Sequence, residues 1–114
     1  MSKAPSNSDI SAYLAQVKNL MAEGKCDFVP RRKNMQALAQ HGLTIKDAKN
    51  EILGLVVGDY YRGPMQDYDA KRVGDVWEFK KKVDGEQFYV KIKIVDENES
   101  KILKCLSFHE DEFN

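Results

Sequence analysis

The sequence is poor in cysteine. Cys26 and Cys105 are its only two, they stand far apart, and no paired spacing links them. That excludes a cysteine-based zinc or redox motif and reads as two buried free thiols in a reducing compartment. Charge of one sign is also missing: 18 basic residues balance 18 acidic ones, for a formal net charge of zero. A uniformly basic nucleic-acid binder is therefore excluded, although the field at a site follows local charge rather than the total. No apolar run approaches the ~20 residues of a membrane span. The N-terminus lacks the charged-then-apolar pattern of a secretory signal. The expectation is a cytoplasmic protein with no membrane contact. Asp59, Asp67 and Asp69 lack Ca²⁺-loop spacing, so no metal site and no cofactor are expected.

What is present fits one domain. The chain has 114 residues, 42% of them hydrophobic and 32% charged, an ordinary balance for a globular protein. Residues 1–8 read as a flexible tail, 9–110 as the domain and 111–114 as an acidic tail. Ser8 is the expected N-cap of a first helix carrying Ile10, Tyr13, Leu14, Val17, Leu20 and Met21 on one stripe, stopped by Gly24. Cys26–Val29, before Pro30, reads as an edge strand. A second helix from about Arg32 to His41 would turn Met35, Leu38 and Ala39 inward, with Gly42 as a left-handed cap and Leu43 as its apolar contact. His41 at its end complements the helix dipole. Thr44 and Asp47 make a capping box opening a third helix, through Ala48, Ile52 and Leu53 to about Val56. Gly58 to Asp75 reads as a long loop whose interleaved aromatic and basic residues, Tyr60, Tyr61, Arg62, Tyr68, Lys71 and Arg72 among them, suit base stacking and phosphate contact.

The C-terminal third is the most regular part. Asp84-Gly85 between two alternating runs signals a two-residue hairpin with a type I′ turn. Val83 then pairs with Glu86. Trp77 faces Ile92, Phe79 faces Val90 and Lys81 faces Phe88. On the other face Glu78 meets Lys91, Lys80 meets Tyr89 and Lys82 meets Gln87. A third strand, Ile102–Phe108, would give Leu106 and Phe108 to the apolar face, and Cys105, Ser107 and His109 to the polar one. His109 then lies opposite or one step diagonal from Tyr89. Helices first and a meander after predict an α+β fold: N-terminal helices packed on a twisted antiparallel β-sheet.

The polar face so built gathers Lys80, Lys82, Lys91, Lys93, Tyr89 and His109. Metal-free RNA cleavage needs a base for the ribose 2′-OH, cations for the phosphorane-like state and an acid for the leaving 5′-oxygen. An imidazole, with an ordinary pKa of about 6.5, suits acid or base work. A phenol can bind the phosphate or share in proton transfer, and Arg62 can hold phosphate bidentately. Each residue alone also has an ordinary reading as part of a solvated sheet face.

Seven ordered segments resemble the MqsR family of bacterial type II toxins, which share the RelE-like ribonuclease fold. They are Leu14-Ala15-Gln16-Val17-Lys18 with Gly24 after it, Leu38 to Leu43, Ile52-Leu53-Gly54-Leu55, Asp59-Tyr60-Tyr61-Arg62, Asp75-Val76-Trp77, Tyr89-Val90-Lys91-Ile92 and Leu106-Ser107-Phe108-His109. The resemblance covers roughly residues 12 to 109. It implies a toxin of a type II toxin–antitoxin system, acting as a metal-independent endoribonuclease that cuts mRNA and inhibits translation. It implies Arg62, Tyr89 and His109 as catalytic, while the strand face and the loop themselves point to Lys80, Lys82, Lys91, Lys93, Tyr61, Lys71 and Arg72 as the RNA-binding residues. Its partner would be a cognate antitoxin, often one with a DNA-binding helix-turn-helix domain. The free toxin would be a monomer and the antitoxin complex a hetero-oligomer. Three positions depart from the family: Arg62 and His109 stand where lysines are usual, and Gly74 replaces a glutamine, with Gln66 as the nearby alternative. The other reading is a non-catalytic RNA- or protein-binding module of the same fold.

Overall fold

A computed structural model describes residues 4–67 and 74–112. Three helices cover one face of a five-stranded sheet with the order β1-β5-β4-β3-β2. Helix α1 spans Asn7–Ala22, β1 Cys26–Phe28, α2 Arg32–His41 and α3 Ile45–Leu53. The remaining strands are β2 Tyr60–Gln66, β3 Asp75–Val83, β4 Glu86–Glu97 and β5 Ser100–Glu110. All neighbours are antiparallel except β1, which runs parallel to β5 at the edge. Among the described residues no helix is long and apolar enough to cross a membrane.

Local chemistry sets the helix ends. Helix α1 is capped by Ser6, not Ser8: the Ser6 side chain accepts from the Asp9 amide, and the Asp9 carboxylate accepts from the Ser6 amide. The reciprocal box outcompetes a lone Ser8. Thr44 and Asp47 form the expected box at α3. That helix ends at Leu53, short of Val56, and leaves both residues exposed while Leu55 is buried. Lys81 holds its last turn, with Nζ 3.0 Å from the Glu51 carbonyl oxygen. A cation there satisfies carbonyls the helix itself leaves unpaired. Gly42 ends α2 with φ +65°, and the Leu43 amide returns to the Leu38 carbonyl at 2.9 Å.

Helix α2 turns a different face inward than its apolar residues suggest. Asn34, Ala37 and Leu38 are buried, whereas Met35 and Ala39 are exposed. Residues 34, 37, 38 and 41 form one i, i+3, i+4, i+7 stripe with polar residues at both ends. Asn34 fixes that face. Its amide donates to the Val29 and Leu106 carbonyls at 2.9 and 3.0 Å and accepts from the Phe108 amide at 2.9 Å.

The hairpin register is the expected one throughout, from Val76↔Lys93 to Val83↔Glu86, with Asp84 at φ +51° and Gly85 at +80°. Strand β5 departs from it. Lys91 pairs with Ser107 but Ile92 pairs with Cys105, so Leu106 is the extra residue of a β-bulge. The bulge reverses the expected facing of Cys105, which joins the core instead of the polar face. Leu106 is buried at the bulge, outside the main cluster, while Trp77, Phe79, Val90, Ile92 and Phe108 pack in that cluster with Leu14, Val17 and Leu38. Tyr13 stacks on Trp77 at 4.2 Å.

The expected long loop contains strand β2 instead. Its pairing with β3 shifts register between Tyr60 and Arg62 and again before Met65. Gly63 permits this: a Cβ there would lie 2.7 Å from the Val76 carbonyl oxygen.

Candidate active site

The polar face of the sheet holds a cleft of about 270 Å³. Strand β4 contributes Tyr89 and Lys91, β5 contributes Ser107 and His109, β3 contributes Lys80, and β2 contributes Tyr61 and Arg62. Lys33 from the first turn of α2 and the segment Asp111-Glu112 complete the wall. Five of the expected residues from three strands thus meet His109, which pairs directly with Tyr89; the ring centroids are 5.6 Å apart.

Beneath the cleft lies the Glu78 carboxylate, whose side chain is only 3% exposed. Arg62 Nε donates to it at 2.8 Å, so the Glu78 partner is Arg62 rather than Lys91 across the strand pair. That hydrogen bond holds the guanidinium firmly in its charged form. Burial, then the Glu78 charge, pushes the Tyr89 phenol well above its ordinary range, with Arg62 opposing. Tyr89 is consequently a neutral hydrogen-bond donor at physiological pH.

His109 Nδ1 lies 2.9 Å from the Glu110 carbonyl oxygen. A carbonyl only accepts, so Nδ1 bears the hydrogen and Nε2 is the basic nitrogen of the neutral ring. Among the described residues Nε2 has no hydrogen-bond partner. Lys80 Nζ sits 4.0 Å above the Tyr61 ring and 2.9 Å from Asp111, and Arg62 lies 5.3 Å from the same ring. Tyr61 is itself 44% exposed. Lys91 makes no ion pair among the described residues, leaving its cation available.

Two of the expected lysines lie elsewhere. Lys93 is buried and paired with Asp67 at 2.7 Å, and Lys82 is an exposed residue opposite Gln87 that does not line the cleft. Lys71 and Arg72, with Tyr68, fall outside the described residues. Gln66 pairs with Asp75 and does not reach the cleft either. Gly74 has φ +96°, and a Cβ there would meet the Ile94 carbonyl at 3.0 Å, so a glutamine on this backbone would be strained.

The sequence missed Lys33, Asp111 and Glu112. Lys33 belongs to the basic run Arg31-Arg32-Lys33, which turns cleft-ward only because Asn34 fixes the face of α2. Asp111 looked like tail, yet its carboxylate is 1% exposed, held by Lys80 and by Gln87 Nε2 at 3.1 Å. Glu112 pairs with Lys33 at 2.6 Å.

On the other side of the sheet His41 lies among Asp84, Glu86 and Glu110. The helix dipole is therefore not its main partner. His41, Glu86 and Glu110 are also close enough together to hold a metal ion. No motif could reveal this, because the three come from separate elements.

No curated protein matches the chain significantly. One family model does, described as "Motility quorum-sensing regulator, toxin of MqsA", and it spans residues 11–110. That span takes in all three helices and all five strands, apart from the first turn of α1. The chain thus belongs to the MqsR toxin family, and it is the toxin of a toxin–antitoxin system whose partner is an MqsA-type antitoxin.

Proposed function

We propose that the chain is an endoribonuclease that cuts mRNA and so inhibits translation, and that its chemistry needs no metal. The observation that carries this reading is the pairing of Tyr89 with His109 in a cleft that also receives Arg62, Lys80 and Lys91. The groups such a cleavage requires are all side chains of this cleft. His109 Nε2 takes the proton of the ribose 2′-OH as the 2′-oxygen attacks phosphorus. Arg62 and Lys91 stabilise the charge that grows on the non-bridging oxygens. Tyr89, a neutral donor, hydrogen-bonds the phosphate or passes a proton to the leaving 5′-oxygen. The products are a 2′,3′-cyclic phosphate and a 5′-hydroxyl. Tyr61, exposed and flanked by two cations, offers a stacking face to a base, worth about 1–3 kcal/mol per base in such contacts.

The setting would be the cytoplasm, with a cognate antitoxin of the helix-turn-helix kind blocking the toxin and binding DNA. Cleavage of a synthetic RNA by the purified chain, with His109→Ala and Tyr89→Phe beside it, tests the assignment. Acid–base groups typically contribute ~10²–10⁴-fold, so His109→Ala should lose about that factor while remaining folded. Equal rates for the two chains would remove His109 from the mechanism.

One observation favours a second reading, a binding module without catalysis. Asp111 and Glu112 neutralise Lys80 and Lys33 at the cleft wall. RNA that binds with a steep salt dependence but is never cut would select it.

A further inference from the structure

The sheet face opposite the cleft carries a second cluster, built from three separated elements. His41 ends α2, Glu86 opens β4 just after the hairpin turn, and Glu110 ends β5. Glu110 pairs with Phe88, whose ring packs edge-on against the His41 imidazole at 5.1 Å. The His41 side chain is 9% exposed. Its Nε2 is 3.1 Å from Glu110 Oε1 and 4.0 Å from Glu86 Oε2, and the three potential ligand atoms lie within 4.8 Å of one another.

We propose that His41 Nε2, Glu86 and Glu110 form a structural zinc site that ties the end of α2 to the hairpin tip and the end of β5.

Geometry is the first argument. Zinc bonds to imidazole nitrogen and carboxylate oxygen are about 2.0–2.2 Å, which puts tetrahedral ligands about 3.3–3.5 Å apart. The two His41 distances bracket that edge, so small side-chain rotations complete the triangle. The second argument is the outer shell. Zinc-bound histidines usually donate their other ring N–H to a carboxylate or carbonyl. Asp84 Oδ2 lies 2.8 Å from Nδ1, placed there by the turn backbone. Charge is the third. Three carboxylates surround one imidazole, and among the described residues no lysine or arginine pairs with Asp84, Glu86 or Glu110. A dication in place of the ring proton at Nε2 offsets more of that negative charge than the proton does, leaving −1 rather than −2. Finally, Glu86 is 59% and Glu110 35% exposed at the side chain, so the ion can enter from solvent and keep water as its fourth ligand. One nitrogen and two carboxylate oxygens suit zinc rather than copper(I), which prefers thiolate and thioether sulfur.

The site lies across the sheet from Tyr89 and His109, so its role is to fasten the fold.

The test titrates the full-length, metal-free chain with ZnCl₂ against a chromophoric chelator, and follows thermal unfolding with and without zinc. One zinc per chain and a raised Tm are expected. Glu86→Gln, an exposed position at the turn, leaves the fold intact by circular dichroism. Glu110→Gln is its companion. Each should weaken zinc binding by more than the about 10–100-fold that loss of an outer-shell partner costs. Asp84→Asn should fall within that range. Glu112→Gln, which removes a carboxylate 3.9 Å from His109 Nδ1 on the cleft side, should leave affinity unchanged. Failure to bind zinc, unchanged affinity in Glu86→Gln and Glu110→Gln, or loss of binding in Glu112→Gln would each overturn the assignment.

Discussion

Replacing Asn34 with alanine removes one side chain that makes three hydrogen bonds, two of them buried and one part-buried. Asn34 is 1% exposed, so water does not readily replace it. A net hydrogen bond is worth about 1 kcal/mol, and leaving a buried partner unmade costs about 1–3 kcal/mol. Three such bonds, lost together and not additively, amount to about 3–5 kcal/mol. Alanine is the better helix former, which returns about 0.5–0.7 kcal/mol. The expected net loss is therefore about 2–4 kcal/mol, a large share of the ~5–15 kcal/mol that holds a typical domain. Urea unfolding is the assay: the midpoint should fall with the slope unchanged, as for a pure stability change. Asn34→Asp should cost at least as much, because a carboxylate would face the Val29 and Leu106 carbonyl oxygens with no donor. These bonds also anchor the bulge that sets the facing of Ser107 and His109, so RNA cleavage by the folded fraction should drop as well. A loss under about 1 kcal/mol in Asn34→Ala would refute the claim that this side chain fixes α2 on the bulge.

Val90→Ala, a truncation at a site with 0% exposure, should cost about 1–3 kcal/mol in the same assay. Thr44→Ala removes half of a capping box and should cost about 1 kcal/mol; no measurable loss would show that packing alone sets the start of α3. Neither thiol should react with Ellman's reagent in the native chain, because burial raises both thiol pKa values and covers both sulfurs. Rapid labelling of Cys105 before unfolding would contradict its core placement. RNA affinity should fall steeply with salt, and charge reversal at Lys91 should weaken all sequences alike; a loss confined to one sequence would assign Lys91 to base reading instead.

The parts of this fold that the sequence revealed are those governed by short-range rules. The Asp84-Gly85 turn fixes its own register, and the period of two then carries that register along β3 and β4 without error. That is why Tyr89, Lys80, Lys91 and Glu78 fall on the expected face. The pairing of His109 with Tyr89 also held, although by a different route: the bulge at Leu106 leaves residues 107 and 109 facing the cleft while it turns Cys105 inward. A bulge has no local signature in Lys104-Cys105-Leu106-Ser107. It is held by Asn34, 72 residues away, and the same long-range bonds rotate α2 away from its hydrophobic pattern. Strand β2 was hidden because Gly63 and Pro64 read as loop residues, while an edge strand with irregular pairing tolerates both. The buried ion pairs were not legible either. Lys93 looked like one more face lysine, and only the fold brings Asp67 to it.

In the proposed reaction the 2′-oxygen of RNA is the nucleophile, in a cleft of protein side chains. The most direct measurement incubates the purified chain, in EDTA and with its fold verified, with a synthetic RNA and with the same RNA carrying a single 2′-deoxy sugar at the cut site. The expected result is cleavage of the first to a 2′,3′-cyclic phosphate and a 5′-hydroxyl, and no cleavage of the second. Products ending in 5′-phosphate, or equal cleavage of the deoxy substrate, would contradict it.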